Sequence, residues 1–204
     1  AEFSLALTVP AAVALMVIPV PLVSVLFERG AFASDDTAAT ALAVAVYGLG
    51  LPAFVMQKTL QPLYFAREDT RRPFHYAVVS MLVNAAVAIG LAPVIGYIAA
   101  AFGTPLAGWA MVCVPWRGSG NMGDAALLDA RFKRRLWRIV LAALLMGGLL
   151  WGAVLLVGPW LGVPTLRYAA LALIVGIGIA GYFGIGHLVG AFRLGEFKAA
   201  MRRG

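Results

Sequence analysis

Long apolar runs alternate along this chain with short charged interruptions. Five stretches carry no Lys, Arg, Asp or Glu: 3–27 (25 residues), 37–57 (21), 73–116 (44), 139–166 (28) and 168–192 (25). A helix rises about 1.5 Å per residue, so about 20 apolar residues cross a hydrocarbon core about 30 Å thick. Four of the stretches hold one span each. The 44-residue stretch holds two, with a turn where Pro93, Gly96, Gly103 and Pro105 gather. The pattern predicts six transmembrane helices, at about 5–27, 37–64, 74–95, 99–116, 139–158 and 167–192. The ten-residue alternating segments of a β-barrel are not visible, and backbone groups in lipid need internal partners. The fold class is therefore all-α, a polytopic membrane protein.

Composition strengthens this picture. Of 204 residues, 62% are hydrophobic and 12% charged, and the mean hydropathy is +0.91. Soluble domains carry about 25% charged residues, roughly twice this density. Sixteen Lys/Arg against nine Asp/Glu leave a net charge of +7. These cations cluster at the ends of apolar runs, which points to anionic lipid headgroups and away from nucleic acid. "RFKRRLWR" (131–138) lies directly before a span, with Trp137 at the expected interface depth. Cys113, the one cysteine, allows no internal disulfide and is expected as a small buried apolar side chain. The opening "AEFSLALTVP" has neither an initiator Met nor a basic region with a cleavage site, so no secretory signal is expected. With two distant histidines and no His/Cys cluster, no metal site is expected. No catalytic triad or phosphate-binding glycine loop appears, so neither enzyme chemistry nor a cofactor is expected.

Lys and Arg count 1, 3, 0, 6, 0 and 4 in the successive interruptions 28–36, 65–72, 96–98, 117–138, the fifth before Arg167, and the tail after 192. The positive-inside rule then makes the second and fourth loops and both termini cytoplasmic, with 28–36 external. In that external loop, "LFERGAFASDDT" (26–37), Ser34 is a candidate N-cap and Asp35 and Asp36 would lie in the first turn of a helix, where its dipole favours anions. Gly30 gives freedom to turn. Capping does not account for the Glu28–Arg29 pair.

"LFERGAFASDDT" closely resembles a signature of the MviN/MurJ family, the lipid II flippases of the multidrug/oligosaccharidyl-lipid/polysaccharide exporter superfamily. "KTLQPLYFAREDTRRP" (58–73) resembles a second family segment, Lys-x-Leu-x-Pro…Tyr/Phe-Ala-Arg-x-Asp-Thr-x-x-Pro. Order, spacing and expected sidedness agree. Family members have fourteen helices, two pseudo-symmetric six-helix lobes and two extra C-terminal helices. The resemblance implies that the six spans here are the ninth to fourteenth. Residues 1–130 would then be a four-helix part of the second lobe, and 131–204 the two additional helices with a basic cytoplasmic tail. The match is weakest around "VCVPWRGSGNMG", where Pro115 would end or kink a helix. The implied activity is translocation of an undecaprenyl-linked peptidoglycan precursor, lipid II, from the inner to the outer leaflet of the bacterial cytoplasmic membrane by alternating access. Implied partners are that lipid, membrane lipids and the remaining N-terminal helices of the same transporter. The family's main cavity arginines would lie outside this chain. A drug or small-cation antiporter of the same superfamily would need acidic residues inside spans, and a scaffold subunit would need no broken helices or buried polar groups. Neither fits as well.

Lys58 either snorkels to the cytoplasmic interface, about 12 Å of helix rise away, or faces inward and helps neutralise a diphosphate. Gln57 and Gln61 flank it and could bind sugar or peptide, or bridge helices. In the inner loop, Arg67 and Asp69 are either ordinary solvated charges or an inner gate, and Glu28 and Arg29 carry the outer motif. Some family members hold sodium through an Asn, an acidic residue one turn later and a Thr on the next helix. Asn84 and Thr104 fit two of those positions, but Ala88 stands at the acidic one, and a hard cation without a carboxylate would be held weakly. Gly148/Gly152 and Gly186/Gly190 have the small-residue spacing that permits close helix approach.

Overall fold

A computed structural model describes residues 2–30, 32–65, 71–96, 98–118 and 130–190, and leaves aside the side chains at 2, 59–65, 71–73, 114–118 and 130–134. These residues form seven helices: α1 (Glu2–Val17), α2 (Pro19–Phe27), α3 (Ser34–Phe65), α4 (Arg71–Ile95), α5 (Ile98–Gly118), α6 (Ala130–Leu161) and α7 (Arg167–Leu188). No strand occurs among them. Four segments are long and apolar enough to cross a membrane: Ser34–Lys58, Phe74–Ile95, Arg135–Leu161 and Arg167–Leu188. A fifth results if the bent pair α1–α2 is one span, and Ile98–Cys113 is a shorter apolar helix. The chain is an all-helical, multi-pass membrane protein.

The expected first helix is broken. Its two halves meet at 78° across Ile18. Pro19 and Pro21 lack the N–H groups that would bond the carbonyls of Leu15 and Val17, so the ladder stops there. Ile18 sits at the elbow, 1% exposed, and its N–H still bonds the Ala14 carbonyl at 2.9 Å. Pro10 interrupts α1 differently, removing the N–H that would pair with the Ala6 carbonyl. The Tyr182 hydroxyl on α7 donates to that same carbonyl. A neighbouring helix thus supplies what the proline withholds, as lipid cannot. Another contact joins α3 to α5: the Trp109 indole N–H donates to the Leu49 carbonyl at 2.9 Å.

The core lies between α1, α6 and α7. Ile139, Ala142, Ala143, Met146, Leu150, Ala153 and Val157 form one buried face of α6, spaced at three and four residues. The opposite face is equally apolar but exposed, with Leu156 81% accessible. Such a surface suits lipid rather than water. Close approach on α6 uses Gly147 rather than the expected Gly148 and Gly152, while Gly186 is buried on α7. A Cβ on Gly147 would lie 2.8 Å from Val13, one on Gly178 2.8 Å from Leu150, and one on Gly181 2.8 Å from Leu149. Gly148 and Gly152 have nothing within 4 Å. α7 ends at Leu188, four residues before the expected limit of 192, and Gly190 just beyond its cap has φ +68°.

Two further expectations change. Pro115 does not end its helix, because α5 continues to Gly118. Cys113 lies on an exposed face of α5 instead of being buried.

Candidate functional site

The loop after α2 is organised by its own side chains. The Glu28 N–H caps α2 on the Ser24 carbonyl at 3.1 Å, and Gly30 turns the chain with φ +61°. Ser34 is the first residue of α3 instead of its cap. The cap position falls on Ala33, and the Asp36 carboxylate reaches back to accept from the Ala33 N–H at 3.0 Å. This is the carboxylate half of a capping box. Thr37, only 4% exposed, donates from its hydroxyl towards both the Glu28 carboxylate and the Ala33 carbonyl, each at 3.2 Å. Glu28 is therefore turned inward, closing the loop onto the first turn of α3.

Arg29 points the other way, its guanidinium 5.6 Å from the centre of the Tyr168 ring. Arg167 lies 5.0 Å from the same ring and donates to the Tyr168 hydroxyl at 3.1 Å. Cations near an aromatic ring are favoured by its quadrupole. The motif loop and the start of α7 thus share one end of the bundle. At the opposite end Arg138 of α6 donates to the Gly190 carbonyl at 3.2 Å, placing a cation against the last turn of α7.

Lys58 and Gln57 belong to a different region. They follow Ser34 by about 36 Å of helix rise on α3. Lys58 is exposed and Gln57 half-buried. Gln61 is on α3, but its side chain, like the whole of Arg67 and Asp69, lies outside the described residues. The structure does not bring Glu28 and Arg29 together with Lys58. Asn84 packs α4 onto α5: a Cβ on Gly103 would meet its Oδ1 at 2.9 Å. Ser80 supports the same seam by donating to the Ala107 carbonyl at 3.0 Å. Thr104, next to Gly103, donates its hydroxyl to the Ala100 carbonyl at 3.4 Å. Asn84 and Thr104 offer two neutral oxygens and no carboxylate, short of what a hard cation takes. Among the described residues, no group of three His, Cys, Asp or Glu gathers as a metal cluster would.

The sequence profile of the lipid II flippase MurJ family matches residues 1–170. The chain belongs to the MurJ family. A probable lipid II flippase MurJ of Rhizobium meliloti (strain 1021) is 36% identical over 215 residues, covering 100% of this chain and 38% of the relative. A probable lipid II flippase MurJ of Rhizobium tropici is 34% identical, covering 99% of this chain and 38% of the relative. The chain therefore spans about 38% of the length of these MurJ relatives. A solved lipid II flippase MurJ in an inward closed conformation superposes with a TM-score of 0.75 at 24% identity, over 92% of this chain and 37% of that one. The fold is thus that of part of a MurJ protein.

Sequence reasoning singled out Glu28 and Arg29 but missed Thr37, Arg167 and Tyr168 as their neighbours. The available signal was the pairing of an isolated Arg with a Tyr at the start of a span, on the side assigned to the motif loop.

Proposed function

We propose that this chain acts as part of a lipid II flippase, carrying the undecaprenyl-linked peptidoglycan precursor from the inner to the outer leaflet of the bacterial cytoplasmic membrane. The observation that carries this is the family match across residues 1–170. Residues 1–130 would belong to the second transporter lobe and 131–204 would supply two added helices, the N-terminal helices of the transporter facing them. Both termini would be cytoplasmic and the loop 28–36 external. Lys58, with Gln57 and Gln61, would face the cavity and meet the diphosphate and sugar, while Arg67 and Asp69 would latch the inner side. Absence of Asp or Glu from the five charge-free stretches disfavours the antiporter alternative.

Complementation of a flippase-depleted strain tests this. The full-length protein should restore growth and the 204-residue chain alone should not, since one wall of a cavity leaves polar groups facing hydrocarbon. In the full-length protein, Lys58→Ala should impair flipping at normal protein level, because an anion in a low-dielectric cavity needs a compensating cation. Lys58→Arg should retain part of the activity and Lys58→Glu should be worst. Full growth with both Lys58→Ala and Lys58→Glu would remove Lys58 from the site. Failure of the full-length protein to complement would remove the flippase assignment itself.

A further inference from the structure

We propose that Arg29 and Arg167, converging on Tyr168 at the start of α7, form a binding site for a lipid-borne phosphate. Two guanidinium groups approach one ring, at 5.6 and 5.0 Å from its centre. Ring attraction is worth only about 0.5–1 kcal/mol per cation at exposed sites, so Tyr168 alone gives the two cations little compensation. Neither arginine has a carboxylate partner among the described residues. Two acids of the loop are engaged elsewhere: Glu28 accepts from Thr37 and Asp36 accepts from the Ala33 N–H. Arg167 Nε is buried and donates to no group among the described residues. Such an orphaned donor is uncommon in a finished site, and a phosphoryl oxygen would satisfy it.

Independent features point the same way. α7 begins at Arg167 with no side-chain cap and no acidic residue in its first turn. The Arg167 N–H donates to the Val163 carbonyl at 2.9 Å, but no side-chain anion offsets the positive end of the helix. The two arginines are bordered in sequence by exposed apolar side chains, Leu26 and Phe27 shortly before Arg29 and Leu166 directly before Arg167. A soluble phosphate has no use for that border, whereas acyl or polyprenyl chains would lie along it. Bidentate guanidinium–phosphate pairing supplies the recognition. The phosphate could be that of an anionic bilayer lipid or the diphosphate of a polyprenyl carrier. The site does not depend on the flippase assignment, since it would stand for a protein that fails complementation.

Thermal unfolding of the full-length protein in micelles tests this, with added dioleoylphosphatidylglycerol, undecaprenyl diphosphate or, as the zwitterionic control, dioleoylphosphatidylcholine. The wild-type protein should be stabilised by at least one of the two anionic lipids and not by the control. Arg29→Gln and Arg167→Gln should each at least halve that shift, and the double variant should abolish it. Arg138→Gln, at the other end of the bundle, should leave it unchanged. Response to phosphatidylglycerol alone assigns the site to bilayer lipid, and response to undecaprenyl diphosphate alone assigns it to the polyprenyl carrier. Response to both assigns it to the phosphate group in general. Arg29 is exposed, so Arg29→Gln should leave the bundle intact and keeps the test valid if Arg167→Gln fails to fold. An unaltered shift in Arg29→Gln and the double variant, or equal loss in Arg138→Gln, would overturn the proposal.

Discussion

Single side chains here repair what single prolines break. Pro10 withholds a donor from the Ala6 carbonyl and Tyr182 provides one from another helix. Interhelical hydrogen bonds in membranes average about 0.6 kcal/mol and reach about 1.7. Tyr182→Phe should therefore lower stability by about 1 kcal/mol, since the orphaned carbonyl lies among buried apolar groups. In a Pro10→Ala background the restored N–H can pair with Ala6 along the helix, so the same substitution should cost less. Reversible unfolding of the four members of this cycle measures the coupling. Equal costs in both backgrounds would mean that the tyrosine does not serve the proline's carbonyl.

Between helices, contact depends on which residue of a turn faces the neighbour. Gly50→Ala would set a Cβ 3.0 Å from both Cα and Cβ of Pro105, a ring and backbone that cannot rotate away. Overpacking of that kind costs about 1–3 kcal/mol, outweighing the roughly 1 kcal/mol helix-propensity gain of alanine. Gly148→Ala meets nothing within 4 Å and should be neutral or stabilising by up to about 1 kcal/mol. Melting temperatures of the two variants in one detergent should move in opposite directions or differ clearly. This contrast also marks what a sequence can disclose about such elements. Length and apolarity placed the helices, because lipid thickness imposes both. The choice between Gly147 and Gly148 follows from how α6 is rotated against α1, which spacing alone does not encode. The elbow at Ile18 was foreshadowed by Pro19, but the 78° bend depends on α2 finding its place against α3 and α7. Ser34 moved from cap to first residue because Asp36 could reach back one residue further.

Across the whole molecule, the motif loop and the α6–α7 turn occupy one end, and Arg138 with Gly190 the other. Glu28 and Arg29 were legible as a motif, whereas their split duties depended on Thr37 nearby and on Tyr168 from the far end of the chain. The sidedness inferred from Lys and Arg counts can be checked in a Cys113→Ala background. An impermeant maleimide applied to intact cells should label Asp35→Cys and not Ser119→Cys. Labelling of Ser119→Cys alone would invert the topology. The bond between Tyr182 and Ala6 also has a consequence in time. The two residues are 176 positions apart. At roughly 5–20 residues per second, the ribosome needs about 9–35 s to deliver the hydroxyl after the carbonyl has been made. During that interval α1 stands in the bilayer with a backbone acceptor unsatisfied. Nascent chains that stop before residue 182 should consequently hold α1 less firmly than chains that include α7, so that α7 acts as a completion signal for α1.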